Sequence, residues 1–399
     1  MRNRLTAALL AAAAVPALVA GLLLPAAGCN RQSGGAGANA ATIVVGQVAS
    51  MTGGTATFGV SSDEGLRLAL DEVNAAGGVL GKKVEVKTED DASVPDQAKT
   101  AANKLLTRDK VVALIGEISS SRSIAMAPEA EAAGIPMLSP GSTNPKVTQQ
   151  GEFIFRSCYT DTFQGKAIAT FALKDLKLKR FAVLFPINSD YGTGLRDFIT
   201  AAVKAGGGEV VATESYTESQ DVSFTSQLTK IKGANPEAIF VTGYYVEAGL
   251  IAKQAKELGL AVPLLGCDGF DSDQTVKIGG PAVNGSYFSN HYAAEETRPE
   301  VKAFVDAYRA KYKNPDGSPK TPDAMAVLGY DAMKLMADAI KRAKSTDPKA
   351  IRDALAATKD FPGASGVITI DAERNAKKPI VILKIEDGKF KHVSTIKPE

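Results

Sequence analysis

Val111-Val112-Ala113-Leu114-Ile115-Gly116-Glu117-Ile118-Ser119-Ser120-Ser121-Arg122-Ser123 is an apolar run that breaks at a glycine and opens into hydroxyl side chains. The residues after it favour helix as far as Ala133. Ile135-Pro136-Met137-Leu138 is apolar again and gives way to Ser139-Pro140-Gly141-Ser142-Thr143-Asn144-Pro145. Strand, helix, strand in this order predicts parallel pairing with a right-handed crossover. The same grammar extends upstream. Residues 43–49 form a short apolar run. Leu66, Ala69, Leu70 and Val73 keep the i, i+3, i+4, i+7 spacing of a helix that Gly77-Gly78 stops. Val84, Val86 and Thr88 alternate as a strand, and Pro95 opens a helix with Ala98, Ala101, Ala102, Leu105 and Leu106 on its apolar side.

The pattern restarts near Phe163. Strands are expected over 181–185, 209–213, 238–242 and 262–265, separated by helices near 192–205, 224–231 and 247–258. A strand returns near 284–289. Helices follow over 300–311, 323–344 and 348–357, then strands over 366–371, 379–385 and 390–394. The expected class is α/β, with two Rossmann-like lobes of parallel strands. A helical block after two complete sheets must pack back on one of them, so several crossings form a hinge. The expected division is 42–157 plus 289–364 for one lobe and 158–288 plus 365–399 for the other.

The 399 residues carry 46 Lys+Arg and 44 Asp+Glu, which lacks the basic excess of a nucleic-acid binder. Three cysteines cannot build a disulfide scaffold, and two histidines cannot supply a histidine-rich metal site. Arg2 and Arg4 precede an uncharged, Ala- and Leu-rich stretch that ends in Leu24-Pro25-Ala26-Ala27-Gly28-Cys29. This predicts a lipoprotein signal peptide over 1–28, resembling a bacterial lipobox, with Cys29 lipidated after cleavage. Ala26 stands where such boxes most often have Leu. A plain signal peptide or an N-terminal membrane span are the alternatives. Residues 29–41 read as a flexible tether. The removed segment carries two Arg and no acid, so the remaining Lys+Arg equal the 44 Asp+Glu.

In open α/β sheets ligands bind beyond the carboxyl ends of the strands. That rule selects Ser50 to Gly59, Gly116 to Ser123 and Ser139 to Pro145 in the first unit. Hydroxyls and free N–H groups at helix starts suit a carboxylate. The plainer alternative is that each Ser caps its own helix. In the second unit the rule selects Pro186 to Gly192, Gly243-Tyr244-Tyr245 and Gly266 to Phe270. Tyr191, Tyr244 and Asp268 then face the hydroxyl-rich edge, a pairing that suits a zwitterion with an apolar body. Taken alone, Asp268 before Gly269 also reads as a turn residue.

From residue 43 onward the chain resembles the leucine/isoleucine/valine-binding proteins. These are extracytoplasmic receptors of ATP-driven importers with the periplasmic-binding-protein type I fold. The resemblance rests on Met51-Thr52-Gly53 through Phe58-Gly59, Asp90-Asp91, Ile115-Gly116 through Ser121, Gly134-Ile135-Pro136 through Ser139-Pro140, Thr143, Phe155-Arg156, Asp190 to Leu195, Gly243-Tyr244 and Gly266 through Gly269. It implies that Ser120, Thr143 and the Gly141 backbone hold a carboxylate. Asp268 and Tyr244 would meet an ammonium, and Phe58 and Tyr191 would line the pocket. Asp268 stands where the leucine-type receptors usually have Glu. Those receptors also carry a first-lobe disulfide at positions matched here by Ser93 and Ser119, so packing alone is expected to hold that lobe. Whether Cys158 and Cys267 pair is left open.

Nucleotide-binding, metalloprotease and serine-hydrolase motifs are missing, and Gly192-Thr193-Gly194 lacks the third glycine of a dinucleotide loop. His291 and His392 are expected as surface or satisfied side chains. No catalysis, cofactor or metal is expected. The expected function is capture of a small amino acid, branched-chain or similar, by hinge closure. The expected partners are an ABC permease with its ATPase subunits and, through Cys29, the membrane. The chain is expected to act as a monomer. The alternatives are an amide, urea or aromatic carboxylate as ligand, or a sensing rather than transporting lipoprotein.

Overall fold

The computed structural model describes residues 42–398, so the signal-peptide, tether and Cys29 expectations lie outside the described residues. The first part of the chain alternates β1 (Ile43–Ala49), α1 (Ala56–Ala75), β2 (Val84–Asp90), α2 (Pro95–Thr107), β3 (Ala113–Ile115), α3 (Ser120–Ala133), β4 (Met137–Ser139) and β5 (Ile154–Arg156). The second runs α4 (Asp161–Lys174), β6 (Arg180–Pro186), α5 (Asp190–Ala205), β7 (Glu209–Tyr216), α6 (Thr225–Gly233), β8 (Ala238–Val241), α7 (Tyr245–Glu257), β9 (Leu264–Gly266), α8 (Asp273–Gly279) and β10 (Tyr287–Asn290). It closes with α9 (Pro299–Lys311), α10 (Ala324–Ala343), α11 (Pro348–Ala356), β11 (Phe361–Gly363), β12 (Gly366–Ile370), β13 (Ala376–Lys377), β14 (Ile380–Glu386) and β15 (Lys389–Ile396).

The first sheet has the order β2-β1-β3-β4-β5, with all pairs parallel. The second has the order β15-β14-β10-β9-β8-β6-β7, parallel except at one edge, where β14 pairs antiparallel with both β10 and β15. In each sheet the strand order reverses once, between β1 and β3 and between β6 and β8. Such a reversal splits the loops above it into a crevice. Residues 116–119 and 242–244 therefore lie where a ligand would be held.

The chain crosses between the two sheets at 157–160, 291–298 and 378–379, as the hinge reading expects. The division expected at residue 365 is corrected. Strand β12 belongs to a separate three-stranded sheet with β11 and β13. Its Ile368 and Ile370 pack with Met336, Leu355 and Ile115 in the first core, because burying both apolar side chains there outweighs continuity with the next strands. At the other boundary, β10 extends to Asn290 inside the second sheet.

Helices α1 and α10 cross at small residues. A Cβ on Gly65 would sit 1.8 Å from the Ala326 carbonyl oxygen, and one on Gly329 would sit 2.1 Å from that of Ser62. The backbones therefore touch, and this crossing fixes the returning helical block on the first lobe.

The first lobe is not held by packing alone. Arg122 is 3% exposed and ties three strand-end loops together. Its guanidinium donates to Thr55 Oγ1 at 2.7 Å, to the Ser93 carbonyl at 3.3 Å and to the Ser119 hydroxyl. Its Nε stands 3.2 Å from Glu117 Oε2. Thus Ser93 and Ser119, which the resemblance pairs with a disulfide, are bridged here by one cation. Burial works against the Arg122 charge, but Glu117, Tyr244 and Asp91 outweigh it and keep the side chain protonated. Burial, then Glu117, pushes Asp91 up to about 7. The Ser50 hydroxyl lies 2.7 Å from Asp91 Oδ1 and 2.9 Å from Glu117 Oε1 and links the two carboxylates.

Candidate ligand-binding site

All seven residues expected at the site are buried at the facing strand ends: Phe58, Ser120, Gly141, Thr143, Tyr191, Tyr244 and Asp268. On the first lobe, Ser119 occupies the N-cap of α3 but makes no side-chain cap bond. The capping alternative fails for this loop; the Ser119 hydroxyl meets Arg122 and Tyr244 instead. The Ser120 hydroxyl accepts from the Asn144 N–H at 3.2 Å, which joins the loop after β3 to the loop after β4. Gly141 lies in that second loop, where a Cβ would stand 3.0 Å from Ile118. The Thr143 carbonyl accepts from the Asp161 N–H at 2.8 Å.

On the second lobe, Tyr191 and Tyr244 stack, with ring centroids 5.1 Å apart and planes 5° from parallel. The Tyr191 hydroxyl donates to Asp268 Oδ1 at 2.8 Å and accepts from the Gly269 N–H at 3.1 Å. A Cβ on Gly269 would fall 3.0 Å from the Tyr244 ring and 3.1 Å from the Tyr191 hydroxyl, so the residue after Asp268 must be small. Phe58, from the first lobe, meets Tyr244 edge-on at 5.7 Å and Tyr245 at 4.9 Å.

The lobes touch in this conformation. The Ser121 hydroxyl accepts from the Asp190 N–H at 2.8 Å, and Asn144 Nδ2 donates to the Asp190 carbonyl at 2.7 Å. The Tyr245 hydroxyl donates to the Gly54 carbonyl at 3.0 Å. Closed lobes remove water from the enclosed groups and strengthen every charge interaction among them.

Sequence reasoning missed three polar residues of the site. Gln164 on α4 donates to Asp161 Oδ1 at 2.7 Å and to Asp268 Oδ1 at 3.1 Å, with Thr143 Oγ1 at 3.5 Å. It therefore links the hydroxyl side of the cleft to the carboxylate side. Asp161 is fully buried, and burial, then Asp268, pushes its carboxyl up to about 7. His291 is also buried, with Nε2 2.9 Å from Asp268 Oδ2, so of the two alternatives expected for it the surface one fails and the satisfied one holds, with Asp268 as the partner. His392 is exposed and contacts Thr395. An alternation or spacing signal does not reach these three positions, since two lie in the first turn of a helix and one in a crossing segment. Cys158 and Cys267 are buried free thiols. No group of three or more His, Cys, Asp or Glu side chains able to hold a metal ion occurs among the described residues.

Two lobes built on parallel sheets, a hinge of three crossings and a buried polar cleft between facing strand ends define a clamshell solute-binding protein. The comparisons give the family. Residues 42–389 match the model of the periplasmic binding proteins, and the chain belongs to that family. A Leu/Ile/Val-binding protein homolog of Brucella melitensis is 32% identical over 361 residues, covering 90% of this chain and 95% of the relative. A leucine-binding protein of Thermotoga maritima has a solved structure with TM-score 0.84 and 38% identity, covering 89% of this chain and 99% of its own. The branched-chain amino acid transporter substrate-binding protein of Streptococcus pneumoniae, solved with isoleucine, gives TM-score 0.83 and 35% identity, covering 90% and 100%. A solute-binding protein of an ABC transporter from Rhodopseudomonas palustris, solved with 3,4-dihydroxybenzoic acid, gives TM-score 0.80 and 29% identity, covering 89% and 97%. Family membership places the chain outside the cytoplasm, in the service of an ABC importer. No helix among the described residues is long and apolar enough to cross a membrane.

Proposed function

We propose that this protein captures a small amino acid, branched-chain or similarly aliphatic, between its lobes and delivers it to the permease of an ABC importer without chemical change. The observation that carries this reading is the Asp268 carboxylate, 4% exposed, facing an edge of hydroxyls and N–H groups across a layer of tyrosine and phenylalanine rings. A buried carboxylate wants a cation. The opposite edge, with Ser120 and Thr143, suits the ligand's own carboxylate, with backbone at Gly141. Phe58, Tyr191 and Tyr244 cover the apolar body. The binding and transport relatives named above support the ligand class. In the same reading Cys29 carries the lipid that tethers the monomeric protein to the membrane, and neither cofactor nor catalysis is involved.

An aromatic carboxylate is disfavoured because its far end would meet Asp268 and Asp161 with no charge to offer them. The test is a thermal-shift series with leucine, isoleucine and valine against urea and benzoate. A melting rise confined to the amino acids supports the reading. A rise with benzoate alone replaces it.

A further inference from the structure

Asp268 is surrounded by donors from the protein itself. Tyr191 and Gln164 both serve Oδ1, and His291 serves Oδ2 at 2.9 Å. The imidazole is fixed by more than that bond. Its ring stacks on Tyr159 at 4.0 Å with planes 14° apart, and its side chain is wholly buried. A carboxylate only accepts, so Nε2 carries a proton; Nδ1 has no hydrogen-bond partner. The charged and titratable groups that act on the ring are Asp268 after β9 and Lys378 in the last crossing, with Tyr159 of the first crossing stacked on its face.

We propose that His291 is a positioning residue for the ligand's ammonium: its neutral ring clamps Oδ2 of Asp268 and so aims the carboxylate. The proposal rests on the amino-acid reading of the site. An uncharged His291 leaves the full negative charge of Asp268 for the ammonium. A protonated ring satisfies that charge itself and competes with the ligand. Burial holds His291 below the ordinary histidine range, Asp268 pulls the other way and Lys378 adds to the lowering. The neutral form therefore dominates at neutral pH, and acidification recruits the competing form.

Two measurements test this. The chain has only two histidines, so the imidazole nitrogens of the whole protein give two sets of NMR signals, sorted by H392N. His291 is expected as the Nε2–H tautomer at pH 7.5, with signals that move in D268N; the Nδ1–H tautomer, or indifference to D268N, overturns the pairing. Calorimetry with L-leucine at pH 7.5 and 5.5 reads the role. H291F is expected to bind about tenfold or more weakly at pH 7.5. H291Q, which keeps an N–H near the Nε2 position but cannot titrate, should recover most of that loss and weaken less than wild type at pH 5.5. H291F binding as wild type does, or H291Q showing the full wild-type loss at pH 5.5, overturns the proposal. Wild type that binds no amino acid at either pH overturns the functional reading and the ammonium role with it, whereas the tautomer still decides the pairing.

Discussion

Removing the Asp268 carboxylate isolates its contribution. Asp268→Ala should weaken binding of an amino acid by about 2–4 kcal/mol, because it leaves a buried ammonium unpaired. Calorimetry showing unchanged affinity refutes the zwitterion model, and unchanged binding of 4-methylpentanoate alone points to a carboxylic acid ligand. Asp161 makes a second prediction, this time about pH. Its carboxyl sits at about 7 against an ordinary 3.8, so between those values the folded state holds a proton that the unfolded state has released. Its contribution to the stability of the ligand-free protein is therefore full only below about pH 3.8 and is lost progressively as pH rises to about 7. Asp161→Asn should raise the melting temperature at pH 8 by more than at pH 5, the two gains differing by about 1–3 kcal/mol. A gain of equal size at both pH values would contradict this. For the ligand the sign reverses. An ammonium favours ionised carboxylates, so wild-type affinity falls as pH drops below 7. Strand ends made Ser120, Thr143, Tyr191, Tyr244 and Asp268 legible in the sequence. Gln164 and His291 were not legible, because their roles depend on which side chains the hinge brings beside them.

Periodicity predicted the long helices well, since the apolar face of α10 and the spacing in α1 are strong signals. Short elements escaped it. Strand β5 has three residues and α8 has seven, too few to show a period. The placement of β12 escaped it for another reason: a strand's sequence shows which side chains it must bury and not against which core. The α1–α10 crossing gives the third prediction. Gly→Ala inside a helix ordinarily stabilises by about 1 kcal/mol. Gly65→Ala should instead destabilise by about 2–4 kcal/mol in urea titration, because its Cβ would overlap the Ala326 carbonyl. The Arg122 brace gives the fourth. Arg122→Met should cost about 3–5 kcal/mol at pH 8, where it strands Glu117 and Asp91 as buried charges. The cost should shrink at pH 5, where Asp91, already raised to about 7, carries its proton. A cost independent of pH would mean that packing, not charge, holds the loops.

At the scale of the whole molecule, closure is held by side-chain and backbone contacts between the lobes. Phe58 against the tyrosines, Ser121 and Asn144 on the Asp190 backbone, and Tyr245 on Gly54 span the lobes. Tyr245→Phe removes one such hydrogen bond, worth about 0.5–1.5 kcal/mol, without touching Asp268 or Ser120. It should weaken leucine binding by roughly 2- to 12-fold through a shift towards open forms. Small-angle scattering should then show a larger mean radius for the unliganded variant and the wild-type radius at saturating ligand; no change in either state would place the bond outside the closure equilibrium.

The brace at Arg122 has a practical meaning too. The Ser93 and Ser119 loops are joined by donors and charge, and Cys158 and Cys267 are unpaired, so no described element depends on oxidation. The domain over residues 42–398 should fold in a reducing medium as well as in an oxidising one, and millimolar dithiothreitol should leave its melting temperature unmoved. Acid, which a covalent bridge would ignore, is the condition to which this lobe responds, because Asp91 takes up its proton there.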